Sequence, residues 1–301
     1  MFTGKLFQLS SFGDVLDISV RRECAFAFAG KVPSRVSPRL VACGKPLHIS
    51  QALKEEGICG MIVPPDLADS VPAEYGLALS ANPMADLLQI QAELAAEGSG
   101  QWEDFPSEIH PSAIIKPGAV VADRNVVIGE GVVIHSNAVI CERTIIGAHS
   151  TIGPGTVVGT DAFEVDTTTT PQRIVPQSGG VRIGSHVDVQ AKCTIVRATF
   201  GGFTELGDET KFDCQVHFAH DSRTGKRVHI AACAEISGRV EFDDDVFVGP
   251  NVSITNGCKI GKGAFITIGS VVTRDVPEDG HVTGNFAVEH KKWLKFVSSV
   301  R

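Results

Sequence analysis

Residues 126–158 read VVIGEGVVIHSNAVICERTIIGAHSTIGPGTVV, and isoleucine or valine recurs at every sixth position of this stretch. The residue two places before each of them is small or β-branched. The recurring positions are Ile128, Ile134, Ile140, Ile146, Ile152 and Val158, and the preceding ones are Val126, Val132, Ala138, Thr144, Ser150 and Thr156. A six-residue period fits neither an α-helix nor simple strand alternation. It fits a short strand and a turn that repeat around a coil.

The same period returns after residue 158, and only Thr224 breaks its apolar character. Its further positions are Ile183, Val189, Ile195, Leu206, Phe212, Phe218, Thr224, Ile230, Ile236, Phe242, Val248, Ile254, Ile260, Ile266 and Val272. Glycine often follows these positions, where a tight corner would favour a residue without Cβ. Examples are Gly129, Gly147, Gly153, Gly184, Gly249 and Gly261. We therefore predict a mainly β fold, a parallel β-helix over residues 107–286, with a parallel solenoid of another repeat type as the alternative.

The rest of the chain lacks the period. Residues 1–100 alternate strand-like and helix-like segments, which indicates a small α/β domain. We predict strands at 25–29 and 60–63, and helices at 49–56 and 84–97, the second with Asn82 as N-cap. A linker follows at 98–106, and residues 287–301 form a short helix that could cap the last coil. Two interruptions of the repeat, 159–180 and 197–205, are either functional loops or plain surface excursions.

Composition excludes several classes of function. The formal net charge is −8 and no basic cluster is longer than HKK at 290–292, which argues against a nucleic-acid partner. The eight cysteines lie far apart, and no Cys/His spacing is typical of a zinc site, so we expect no metal. No apolar run is long enough for a transmembrane segment, and the first residues lack a signal-peptide pattern. We expect a cytoplasmic protein.

The segment 213–221, DCQVHFAHD, contains the best candidates for chemistry. Phe218 belongs to the inward column, so His217 should face outward, and His220 should lie near the following corner. A neutral imidazole can act as a general base near pH 7. Asp213 could orient it from the adjacent turn. The alternative is that both histidines are ordinary surface residues, because the motif alone is weak.

From residue 25 to 297 the order of segments resembles UDP-3-O-acylglucosamine N-acyltransferase, the amide-forming enzyme family of lipid A biosynthesis. The similar motifs are GTDAF at 159–163, VPQ at 175–177 before VRIG at 181–184, TIVR at 194–197 and QVHFAH at 215–220. The resemblance implies a left-handed coil, a homotrimer and no tightly bound cofactor, with acyl-CoA or acyl carrier protein as co-substrate. A trimer also has a physical reason, because a base on an exposed prism face needs a second wall to exclude water.

The same resemblance assigns candidate residues. His220 falls on the catalytic base, Asp213 on its acidic neighbour, and Gly238 on the backbone N–H donor to the oxyanion. For substrate binding, the resemblance assigns residues that would contact the nucleobase, the phosphates, the sugar and the acyl chain. These candidates are Phe26, Lys31, Asp161, Phe163, Gln177, His217 and Asn256.

We therefore predict an N-acyltransferase acting on the amine of a UDP- or dTDP-linked amino sugar, in lipid A or other surface-glycan biosynthesis. Two alternatives stay open: an O-acyltransferase on the same scaffold, and a non-catalytic β-helix that binds a nucleotide sugar. The second is favoured by departures from the family pattern. Gly257 stands where the family has another histidine, and Ala29 and Val32 replace an asparagine and an aromatic residue.

Overall fold

The computed structural model describes residues 3–13, 16, 18–96, 99, 101–284 and 287–300. Within these ranges, three parallel sheets of short strands form the three faces of a prism, and the chain passes from face 1 to face 2 to face 3 in each coil.

Face 1 has eight strands: Glu108–Ile109, Val126–Ile128, Thr144–Ile146, Gly180–Ile183, Phe203–Leu206, Arg223–Thr224, Glu241–Phe242 and Lys259–Ile260. Face 2 has nine: Ile114–Ile115, Val133–Ile134, Thr151–Ile152, Asp188–Val189, Lys211–Phe212, His229–Ile230, Phe247–Val248, Phe265–Ile266 and His281–Val282. Face 3 has eight: Val120–Val121, Val139–Ile140, Val157–Thr160, Thr194–Val196, His217–Phe218, Glu235–Ile236, Ser253–Ile254 and Val271–Val272.

The predicted apolar columns are confirmed as the core of this prism. Every column residue from Ile128 to Val272 is buried, and so are the residues two places before those of the 126–158 stretch. The polar exception, Thr224, is satisfied inside: its Oγ1 accepts a hydrogen bond from Gly207 N at 2.9 Å and lies 3.1 Å from Thr210 Oγ1. A buried hydroxyl is tolerated here because it is hydrogen-bonded.

The glycines that follow the column do need to lack a Cβ, but not because of a tight corner. Left-handed backbone occurs three positions after the column, as at Asn137 (φ 62°) and His149 (φ 59°), and none of the six glycines named above has a positive φ. The glycines are required by close approach between coils. A Cβ on Gly147 would lie 2.6 Å from the carbonyl carbon and oxygen of Gly184 in the next coil.

The N-terminal region contains a five-stranded sheet with two helices, α1 (Pro46–Ala52) and α2 (Pro83–Ala95). The strands in spatial order are Ser19–Arg22, Gly76–Leu79, Ile58–Val63, Arg39–Ala42 and Phe28–Gly30; Phe7–Gln8 pairs separately with Ala25–Phe26. Two 3₁₀ turns occupy Leu9–Phe12 and Pro65–Ser70. The first helix was predicted at 49–56, and α1 is found at Pro46–Ala52, so it begins three residues earlier.

Helix α2 starts at Pro83, one residue before the predicted start, and Asn82 is its N-cap as predicted, but the Asn82 side chain makes no capping hydrogen bond. Instead, Asn82 N donates to Ser80 Oγ at 2.8 Å. The predicted last residue of this helix, 97, and the first residue of the linker, 98, lie outside the described residues.

Both interruptions of the repeat pack against the N-terminal domain. The first contains a small hairpin, Val165–Asp166 with Arg173–Ile174. Val175 from the first and Phe200 from the second are buried in one cluster with Leu87 and Ile90 of α2. They are therefore packing elements that fix the domain on the prism, and not free surface loops.

The C-terminal helix, α3, spans His290–Ser299 and is capped by Glu289, whose carboxylate accepts from Lys291 N and Lys292 N at 3.1 Å. None of its residues is buried, and Trp293 is 51% exposed, so the expected capping of the last coil is not made. Among the described helices, none is both long and apolar enough to cross a membrane.

Candidate active site

His220, Gly238 and Asn256 occupy one corner of the prism in three successive coils. The strand register places Phe218 beside Ile236 and Ile236 beside Ile254, and each of the three candidates follows its strand by two residues. A Cβ on Gly238 would lie 2.6 Å from both Cε1 and Nε2 of His220 and 3.1 Å from Nδ2 of Asn256. These three residues, which we name the His220 corner, therefore converge on one point.

The partner of the imidazole is Asp221, which sequence reasoning missed. His220 Nδ1 lies 2.7 Å from Asp221 Oδ2, and both side chains are largely buried, at 15% and 24% exposure. Because a carboxylate only accepts, Nδ1 is the donor to Asp221, and in the neutral ring Nε2, on the Gly238 side, is then the free acceptor. A general base needs this arrangement.

The predicted pairing of Asp213 with His220 is wrong within the chain. Asp213 follows a strand of face 2, whereas His220 follows a strand of face 3, so a whole face separates their corners. Asp213 Oδ1 instead accepts from Cys214 N at 2.6 Å. The carboxylate lines a cleft of about 710 Å³ on face 2, together with Lys211 and His229.

The predicted base-stacking role of Phe26 is also wrong. Its ring is fully buried in the N-terminal core, with centroids 6.3 Å from Phe7 and 5.7 Å from Phe12. A different aromatic residue of the same stretch, Phe28, lines a cavity of about 480 Å³ between the N-terminal domain and the prism. Asp221 lines this cavity too, so it adjoins the His220 corner.

Charged groups surround this cavity, among them Arg35, Arg239, Glu241 and Lys259. Burial alone would raise the pKa of Glu241, but a hydrogen bond from Arg35 and the charges of Arg35 and Arg223 hold that pKa below its usual value. Glu241 therefore remains anionic and links Arg35 of the N-terminal domain to Arg223 of the prism.

Gln177 does not offer its side chain to a ligand, contrary to the prediction. It is buried at 6% exposure, its Oε1 accepts from Ala162 N at 2.9 Å, and its Nε2 donates to Ala162 O at 2.8 Å. These two hydrogen bonds fix the backbone of Ala162, which lies between Asp161 and Phe163 in the sequence. Phe163 is thereby presented to solvent at 88% exposure.

The other candidates are distributed around this region. Asp161 Oδ1 lies 3.3 Å from Nε of Arg197, one coil before His220. Lys31 pairs with Glu164 of the first interruption, so its ammonium already has a carboxylate partner. His217 is half-buried on face 3, beside Glu235 in the next coil.

Comparison with known proteins agrees with this architecture. Residues 125–160 match the family described as bacterial transferase hexapeptide (six repeats). UDP-3-O-acylglucosamine N-acyltransferase of Bordetella parapertussis is 32% identical over 144 residues, which cover 46% of this chain and 39% of that protein. Acyl-[acyl-carrier-protein]–UDP-N-acetylglucosamine O-acyltransferase of Alkalilimnicola ehrlichii is 34% identical over 112 residues, 36% of this chain and 43% of that protein.

Among solved structures, LpxA from Acinetobacter baumannii superimposes with a TM-score of 0.52 at 25% identity, covering 64% of this chain and 76% of that chain. The chain spans about two fifths of the length of the curated relatives that it matches. The expected left-handed parallel β-helix and the resemblance to hexapeptide-repeat acyltransferases are thus confirmed.

Proposed function

We propose that this chain is an N-acyltransferase that moves an acyl group from acyl-CoA or acyl carrier protein to the amine of a nucleotide-linked amino sugar. The observation that carries this proposal is the His220 corner, where Nε2 of an Asp221-oriented imidazole faces Gly238. A base and a close backbone approach at one point are what acyl transfer to an amine requires.

In the proposed reaction, the sugar nitrogen attacks the thioester carbonyl carbon while His220 Nε2 takes a proton from that nitrogen. The tetrahedral oxyanion accepts a hydrogen bond from the backbone N–H of Gly238, which contributes roughly 3 kcal/mol. The C–S bond then breaks, and the imidazolium returns its proton to the leaving thiolate. The amide and a free thiol result, so protons and charge balance.

For the substrate, we propose that the nucleotide, UDP or dTDP, binds in the cavity between the N-terminal domain and the prism. Phe28 offers a ring for the base, and Arg239 and Lys259 offer charges for the phosphates. The cavity ends at Asp221, beside the proposed base. Lipid A or another surface glycan is the product class that the resemblance in the sequence implies.

A second candidate, an O-acyltransferase, is favoured by one specific observation. The A. ehrlichii relative, 34% identical over 112 residues, is named for O-acyl transfer. Because the same imidazole could deprotonate a hydroxyl, only the acceptor distinguishes the two reactions.

The function is tested by thiol release. The enzyme is incubated with UDP- or dTDP-linked amino sugars, or with the same sugars carrying a hydroxyl in place of the amine. The donor is acetyl- or longer-chain acyl-CoA or acyl carrier protein. We expect turnover that needs an amino sugar. Turnover on the hydroxyl acceptors alone would establish the O-acyltransferase, and no turnover with any pair would favour a nucleotide-sugar-binding platform.

We further propose that the enzyme works as a homotrimer in the cytoplasm. The His220 corner lies at an edge of the prism, where a neighbouring copy would complete the wall against water. All eight cysteines are free thiols, as is usual in reducing compartments. Activity per chain should fall when the protein is diluted until sedimentation shows monomers. A fully active monomer would contradict the trimer.

Asp221→Asn should lower kcat by about 10- to 100-fold, because an amide no longer holds the imidazole in the Nδ1–H tautomer. The matched control is Asp213→Asn, an aspartate eight residues earlier that does not contact His220. We expect the control to change kcat less than about threefold. The reverse order of effects would restore Asp213 as the orienting residue.

A further inference from the structure

A buried polar junction joins helix α2 to both interruptions of the repeat. Gln91 of α2 is fully buried, and its Nε2 lies 3.0 Å from Pro176 O and 3.1 Å from Ser178 Oγ in the first interruption. The same nitrogen lies 3.2 Å from Thr199 O in the second. Ser178 N also donates to Thr199 O at 3.1 Å. One side chain of the N-terminal domain thus holds both segments.

The second interruption also contacts the carboxylate of Asp221 beside the His220 corner. The carbonyl oxygen of Thr199 accepts from Gln91, and the backbone N–H of the same residue donates to Asp221 Oδ2 at 3.5 Å. Thr204 Oγ1 accepts from Asp221 N at 2.9 Å. Both threonines are fully buried, so these contacts to the partly exposed Asp221 are made from the protein side, where a lower local dielectric strengthens hydrogen bonds.

Asp221 Oδ2 is also the atom that pairs with His220 Nδ1 at 2.7 Å. A continuous series of contacts therefore runs from Gln91 through Thr199 to Asp221 and ends at the imidazole. We propose that Gln91 is a positioning residue for His220, through which docking of the N-terminal domain sets the tautomer and direction of the catalytic imidazole. This inference rests on the proposed function only for its effect on rate.

The test replaces Gln91 with methionine, which has a similar length and shape but cannot donate. In wild type, the ¹⁵N spectrum of His220 in the free enzyme should show the Nδ1–H tautomer. In Gln91→Met it should show a mixture with the Nε2–H form. With turnover established, kcat should fall roughly 10- to 100-fold at nearly constant KM, as expected for a small misplacement of a catalytic group.

The matched control is Gln89→Met on the same helix. Gln89 also contacts the first interruption, since its Oε1 accepts from Arg173 Nη2 at 3.2 Å, but it makes no contact in the series that leads to Asp221. We expect the wild-type tautomer and rate. A purely structural role of α2 contacts would affect both glutamine variants alike.

Should Gln91→Met not fold, Gln91→Asn tests the same series, because it keeps a polar amide but is one methylene too short to reach Thr199 O. A folded variant of either kind that keeps the wild-type His220 tautomer would overturn the proposal. Because the spectrum is recorded without substrate, this result is distinguishable from a failure of the proposed acyl transfer.

Discussion

His220→Ala is expected to lower kcat by about 10²–10⁴-fold, the range that general-base catalysis contributes. KM for the nucleotide sugar should change little, since the proposed nucleotide cavity is lined by other residues. Without the imidazole, the amine must lose its proton to water while it attacks the thioester. The measurement is initial-rate thiol release, with the wild-type acceptor and donor identified in the substrate screen.

The control for this prediction is His110→Ala, an exposed histidine at the start of the prism, which should keep the wild-type rate. His220 lies outside the apolar column, so its loss should leave the thermal midpoint nearly unchanged. Added imidazole should restore part of the activity if the alanine leaves room for it. A variant that retains more than one tenth of the wild-type kcat would remove His220 from the mechanism.

The core of the prism could be predicted from the sequence because each inward residue returns after a fixed interval. Burial then follows from position alone, and even the exception at Thr224 kept its inward place. The N-terminus of α2 was predictable for a similar reason, because Pro83 after Asn82 marks a helix start locally. Handedness came from the resemblance, since a period does not determine the direction of winding.

The site was less predictable because its contacts depend on which corner each residue occupies. Asp213 and Asp221 both flank His220 in sequence, yet only Asp221 shares its corner. A count of six residues per face would have separated them. Phe26 and Phe28 could not be distinguished in this way, because their environments depend on how the N-terminal domain packs on the second interruption. No pattern within the stretch encodes that contact.

Gly238→Ala is expected to lower kcat by about 10²–10³-fold, within the range that loss of a general base costs. The added methyl would lie 2.6 Å from Nε2 and Cε1 of His220, well inside contact distance. The ring must then swing away and leave its hydrogen bond with Asp221, while the thioester loses its close approach to the backbone. The neighbouring Ser237→Ala, which adds no atom, is the control and should keep most of the rate.

A double-mutant cycle separates the two causes of this loss. If the methyl acts mainly by displacing the imidazole, Gly238→Ala should cost little in a His220→Ala background, where the ring is absent and the methyl has room. If it acts mainly by blocking the thioester or the oxyanion contact, the two losses should multiply. We expect the first result, because the imidazole atoms are the nearest to the new methyl and Asn256 Nδ2 follows at 3.1 Å. If the two losses multiply fully, the methyl of Gly238→Ala acts on the binding of the thioester and not through His220.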